Sequence, residues 1–150
     1  MALIGGYEMR EDDGKIGGVD LKVYKNFVKG ITSLPSKDNE VFAERIKHLS
    51  NNGVNIASLS TAALGLPGEA GEFCDLIKKI LFHGKEYTPE IQEKLEKELG
   101  DVFWYAAQAC IGLNVDPYYI LQKNMDKLNG RYEGGKFTVS ASENRKPGDD

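Results

Sequence analysis

Apolar residues recur along this chain at the three-to-four residue spacing of helices, in successive stretches separated by glycine, proline and asparagine. Leu21, Tyr24, Phe27 and Val28 form the first stripe, which Gly30 and Pro35 end. Ser36 and Asp38 are candidate caps for a second helix carrying Val41, Phe42, Arg45 and Leu49, closing at Asn51-Asn52-Gly53. Asn55 is placed to cap a third, in which Ile56, Leu59, Ala63 and Leu66 recur. Pro67 lacks an amide donor and clashes with the carbonyl four residues earlier, so this helix is expected to kink or restart between Gly65 and Gly68. It then continues through Phe73, Leu76 and Ile80 and stops at His83-Gly84. Thr88-Pro89 opens a fourth helix that runs to about Gly112, and Asp116-Pro117 opens a fifth whose stripe is Tyr118, Leu121, Met125 and Leu128. The pattern predicts an all-α bundle of about four to five helices.

The fourth helix changes character along its length. Gln92, Glu93, Glu96 and Lys97 give its first half a polar surface, whereas Trp104, Ala107 and Ile111 lie away from the core stripe of the second half. A helix that is apolar nearly all round needs cover on more than one side, so the bundle is expected to be completed by homo-oligomerisation, as a homodimer or homotetramer. Residues 1–18 hold five glycines and few large apolar groups, and read as a flexible N-terminal segment. The organised body is expected at 19–137, followed by a polar tail at 138–150.

Charge narrows the classes of partner. A net charge of -4 over 150 residues, with no basic face, argues against a nucleic-acid polymer. No apolar run reaches the length of a membrane span, and the start lacks a signal peptide's charged-then-apolar pattern, so the expectation is a cytoplasmic protein with no membrane partner. Cys74 and Cys110 form no CxxC pair and read as reduced, partly buried thiols.

The chemistry concentrates in two acidic signatures, Glu69-Ala70-Gly71-Glu72 and Glu98-Leu99-Gly100-Asp101. Each pair is spaced i, i+3, so both carboxylates of a pair share one helix face. Glu69 and Glu72 fall on the side of Phe73, Leu76 and Ile80; Glu98 falls within the stripe of Ile91, Leu95, Val102 and Ala109, while Glu93 and Glu96 turn away. Four carboxylates thus point at the seam between two helices, where they repel one another and lose solvent. Neither stripe supplies a Lys or Arg, so a divalent cation is the economical partner. An all-oxygen donor set favours Mg²⁺, with Mn²⁺ as a substitute, over zinc or iron. A ferritin-like di-iron centre needs Glu-x-x-His motifs, which neither His48 nor His83 provides.

Together with Leu66-Pro67-Gly68 ahead of the first signature and Glu96-Lys97 ahead of the second, these residues resemble the MazG-type branch of the all-α nucleoside triphosphate pyrophosphohydrolases, whose pattern is ExxE, a spacer, then ExxD. The resemblance covers roughly residues 38 to 137, with Pro67 as a departure from it. A third matching segment, Asn124 to Tyr132, is similar to the family's last helix, which brings polar and basic groups to the nucleotide. By themselves Asn124, Lys127 and Arg131 read as an ordinary polar helix edge. The resemblance implies that they bind substrate, Lys127 and Arg131 on phosphate oxygens and Asn124 on a water or sugar hydroxyl.

The resemblance implies a metal-dependent hydrolase that converts a (d)NTP and water to the monophosphate and pyrophosphate. Glu69, Glu72, Glu98 and Asp101 would hold Mg²⁺, and Glu69 or Glu72 would take the proton of a metal-activated water. Lys79 sits on the acidic flank near Glu72 and is a candidate phosphate contact; Lys78 reads as solvated. His83 and Lys85, in a loop after an acidic helix, are within reach of a phosphate, but the favoured account is the blander one, a helix C-terminus whose dipole suits cations. Two other functions fit the same helices: a dUTP-, dCTP- or signalling-nucleotide-selective hydrolase, and a non-catalytic regulatory or dimerisation module. The four intact acids weigh against the module, because a bundle without catalysis gains by replacing seam carboxylates with leucine.

Overall fold

Helix-forming stripes and their caps, rather than long-range strand pairing, organise this chain. The computed structural model describes residues 3–4, 7–8, 15–16 and 18–144. The fold is all-α, with six α-helices among the described residues. The only strands among them are two-residue antiparallel pairs, Leu3–Ile4 with Tyr7–Glu8 and Lys15–Ile16 with Val19–Asp20. Most of the segment expected to be flexible, 1–18, lies outside the described residues. The chain divides into two compact units, Met1–His48 and Leu49–Asp150.

In the first unit, α1 (Leu21–Ile31) starts at Asp20, whose carboxylate accepts from the amides of Lys22 at 2.8 Å and Val23 at 3.4 Å. It continues one residue past Gly30 and closes at Thr32, whose amide and hydroxyl both donate to the Val28 carbonyl. α2 (Asn39–Asn51) is capped by Asp38, which accepts from Glu40 and Val41; Ser36, the other candidate, instead pairs its hydroxyl with Ser33. None of the α1 residues is buried.

The second unit is built on two long helices, α3 (Ile56–Phe82) and α4 (Pro89–Leu113), which pack along one another. Asn55 caps α3 by accepting from the Ser58 amide at 3.2 Å. The expected kink or restart at Pro67 does not occur, and α3 is one continuous helix with the proline inside it. Proline costs this helix one amide hydrogen bond, and the neighbouring Gly65 and Gly68 lack the β-carbons that would crowd any local adjustment. Packing against α4 on both sides of the proline holds the axis. Glu69 and Glu72 are therefore mid-helix, not in a first turn, and no helix dipole holds them ionised. α3 ends at His83, with Gly84 at φ +67° as the left-handed residue that follows.

α4 begins at Pro89 after Thr88, which makes no side-chain cap bond to the helix amides; its hydroxyl goes to the Glu90 carboxylate. Asn114, at φ 53°, terminates it in the left-handed conformation. Two glycines set how closely the pair approaches. A β-carbon at Gly65 would lie 2.0 Å from Tyr105 Cε1, and one at Gly112 would lie 2.8 Å from Leu59 Cγ. Leu59 thus faces Gly112 and Gly65 faces Tyr105, which makes α3 and α4 antiparallel. Ala62, Ile91 and Leu95 are the buried apolar residues of the seam among the described residues.

α5 (Pro117–Arg131) is capped by Asp116, which accepts from the Tyr118 amide at 2.7 Å. Its expected buried stripe is open: Tyr118, Leu121, Met125 and Leu128 are all exposed. Within the stretch expected to be a polar tail, Val139–Glu143 form the short α6, capped by Thr138; residues 145–150 lie outside the described ones. Among the described residues, no helix is long and apolar enough to cross a membrane.

Candidate metal centre

One turn beyond Gly65, α3 presents Glu69 and then Glu72; from the opposite direction α4 presents Glu98 and then Asp101. Antiparallel packing brings them together at mid-length, and carboxylate oxygens of Glu69, Glu72 and Glu98 lie within 4.8 Å of one another. Glu69 and Glu98 are half-buried, and Glu72 is exposed. Asp101 is exposed and stands outside that trio, but its charge acts on Glu69. The Glu69 carboxyl is held above its usual range, first by partial loss of solvent and then by repulsion from Glu72, Asp101 and Glu98. A trio of close carboxylate oxygens has the chemistry of a hard divalent ion site, Mg²⁺ or Mn²⁺.

Beside the trio lies an open cleft of about 420 Å³, lined by Gly68, Gly71, Glu72, Asp75, Leu76, Lys79 and Glu98. A β-carbon at Gly68, Gly71 or Gly100 would meet nothing within 4 Å. Glycine inside a helix costs about 0.8–1 kcal/mol relative to alanine. Helix packing therefore does not account for these three, which flank the acids and, at 68 and 71, floor the cleft.

Lys79 reaches this cleft, as its place on the acidic flank of α3 suggests. Its ammonium is 2.5 Å from Asp75 Oδ2, and Lys78, expected to be solvated, is paired with Asp75 Oδ1. Hydrogen bonds from Lys78 and Lys79 pull the Asp75 carboxyl down to about 2, so it stays an anion at any working pH. Sequence reasoning passed over Asp75. The signal was there, since Asp75 follows Glu72 by three residues and precedes the lysines by three and four, but an acid with two nearby cations resembles any solvated helix surface.

Asn124, Lys127 and Arg131 do not line the cleft. Asn124 and Lys127 are exposed on α5, and Arg131 is half-buried at its end with its guanidinium 6.0 Å from the Tyr132 ring centre. His83 and Lys85 belong to the close of α3, where the amides of both donate to the Lys79 carbonyl. Cys74 and Cys110 are free thiols; Cys110 is half-buried as expected, whereas Cys74 is exposed.

Comparison with known proteins agrees with this geometry. A family model described as the MazG nucleotide pyrophosphohydrolase domain matches residues 57–135, spanning α3, α4 and α5. The chain is 42% identical over 83 residues to the Gene 37 protein of Mycobacterium phage L5, an alignment covering 54% of this chain and 72% of that protein. No solved structure matches the chain significantly. With the antiparallel acidic helices and a family match over more than half its length, the chain belongs to the MazG nucleotide pyrophosphohydrolase family.

Proposed function

We propose that this protein is a metal-dependent nucleoside triphosphate pyrophosphohydrolase, cleaving a (d)NTP between its α and β phosphates to give the monophosphate and pyrophosphate. The observation that carries the reading is the convergence of Glu69, Glu72 and Glu98 from two helices within 4.8 Å, beside an open cleft. These carboxylates, with Asp101, are the proposed ligands of Mg²⁺, for which Mn²⁺ can substitute. A divalent cation there supplies positive charge against the phosphate oxygens and brings the pKa of water toward neutrality.

The chain's own residues do the rest. Glu69 or Glu72 accepts the proton of the attacking water on a carboxylate oxygen. Lys79, at the edge of the cleft, is the proposed contact to the departing phosphates. Asn124, Lys127 and Arg131 remain proposed substrate contacts, reaching the nucleotide once α5 is covered in the assembled protein.

Assembly is part of the proposal. Phe103, Trp104 and Ile111 on α4 are 67%, 54% and 59% exposed, and Leu64 and Phe82 on α3 are exposed as well. An apolar surface of this kind on helices that also carry the acids supports a homodimer or homotetramer. Activity is assigned to residues 19–137, acting on nucleotide pools in the cytoplasm. A panel of ribo- and deoxynucleoside triphosphates, assayed for pyrophosphate release with Mg²⁺, Mn²⁺ or chelator, tests the reading. Release from at least one triphosphate, abolished by chelator, is expected; no release from any, or release that survives chelation, overturns it.

A further inference from the structure

Asp75 lies one helical turn beyond Glu72 on the face that lines the cleft, yet it is not one of the three acids whose oxygens converge. Both of its oxygens are engaged by lysines, Lys78 on Oδ1 and Lys79 on Oδ2, the latter at 2.5 Å. Side chains on a helix lean toward its N-terminus, so Lys79 reaches back one turn and is stopped there, short of the glutamates. Its four-carbon stem has many rotamers, and an uncaught ammonium spreads over solvent. Pairing with Asp75 instead leaves it standing at the lip of the cleft. That is about one turn along α3 from Asp75 and two from Glu72, in the cleft that Glu72 and Glu98 also line.

We propose that Asp75 is a positioning residue, which holds the Lys79 ammonium at the cleft to receive the pyrophosphate portion of the substrate. The proposal rests on the reading of the cleft as the nucleotide site, and goes beyond it by assigning a role to an acid outside the metal cluster. Asp75 acts through Lys79 and touches neither cation nor reacting phosphorus.

The test is calorimetric binding of inorganic pyrophosphate in the presence of Mg²⁺, and of Mg²⁺ alone, to the full chain and to D75N, D75E, K79M and D75N/K79M. D75N and K79M are each expected to weaken magnesium pyrophosphate binding about three- to fivefold, the ceiling for a solvent-exposed ion pair. The double variant is expected to be no weaker than K79M, because the two act as one unit. D75E, which keeps the charge within reach, is expected to recover most of the loss, and Mg²⁺ binding alone is expected to be unchanged in all four. Wild-type affinity in D75N, additive losses in the double variant, or a D75N that binds Mg²⁺ alone more weakly would each overturn the assignment and leave the nucleotide reading standing. A wild-type protein that binds no magnesium pyrophosphate would remove both.

Discussion

Gly65 of α3 and Tyr105 of α4 occupy a space that admits only one side chain: a β-carbon on Gly65 would sit 2.0 Å from the ring's Cε1 and 2.2 Å from Cζ. Real atoms do not approach so closely, so Gly65→Ala has to push the helices apart or drive the Tyr105 ring from its place. Overpacking of this kind costs about 1–3 kcal/mol. Gly65 precedes Glu69 by a single turn, so the separation is felt at the acids. Urea unfolding of Gly65→Ala is expected to show that loss of stability together with weaker Mg²⁺ binding, and Tyr105→Leu in the same chain is expected to restore part of both.

The opposite sign is expected at Gly71. Nothing lies within 4 Å of a β-carbon there, so Gly71→Ala gains helix propensity worth up to about 1 kcal/mol. The added methyl enters the floor of the cleft. Thermal unfolding is expected to move upward while the KM for the best triphosphate rises several-fold; a more stable variant with unchanged kinetics would show that the cleft is not where substrate lies.

Removing charge at the metal centre separates chemistry from folding. Glu98→Gln and Asp101→Asn are each expected to lower pyrophosphate release by at least about a hundredfold, the scale of a lost transition-state contact. Circular dichroism of both is expected to match the wild type. Activity persisting in both variants would take the reaction away from these acids.

Glu69 supplies the pH dependence. Its carboxyl is raised above the usual 4.5 in the folded protein, so the fold binds that proton more tightly than the unfolded chain does. The metal-free protein therefore has this contribution in full below 4.5 and loses it as pH rises through the displaced value. Without metal at pH 7.5, Glu69→Gln is expected to melt above wild type, and the gap is expected to narrow as the pH is lowered. Added Mg²⁺ is expected to raise the wild-type melting temperature at pH 7.5 and to do little at pH 4. Asp75 contributes nothing to this profile: its carboxyl is depressed to about 2, so its stabilisation is complete above the usual 3.8 and fades only as pH falls through about 2.

The exposed end of α4 gives a test of assembly. Light scattering at micromolar concentration is expected to report a dimer or tetramer, and Phe103→Glu with Trp104→Glu is expected to shift the mass toward the monomer while the helix content holds. A monomeric wild type would remove the assembly.

The helices and the convergence of acids were legible because each depends on local spacing: i, i+3 carboxylates set against an apolar stripe place themselves once two helices pack. Pro67 misled because the rule that proline breaks a helix is local, while the long contact between α3 and α4 outweighs the loss of one hydrogen bond. Tyr118, Leu121 and Met125 misled in the other direction. Their periodicity promises burial but does not say against what, and among the described residues they stay exposed. The same gap leaves Asn124 and Lys127 on an open helix, where the family resemblance expects nucleotide.

Because close contact at Gly65–Tyr105 and Leu59–Gly112 fixes the alignment of α3 with α4, the connector from His83 to Thr88 does not set the distance between the glutamates. Lengthening that hairpin by a few residues should leave the metal centre in working order. A single residue inserted between Gly65 and Glu69 should ruin it, since Glu69 and Glu72 would swing by about 100° around the α3 axis, away from Glu98 on α4. Evolution is thus free to edit the turn and confined to substitution within the rods.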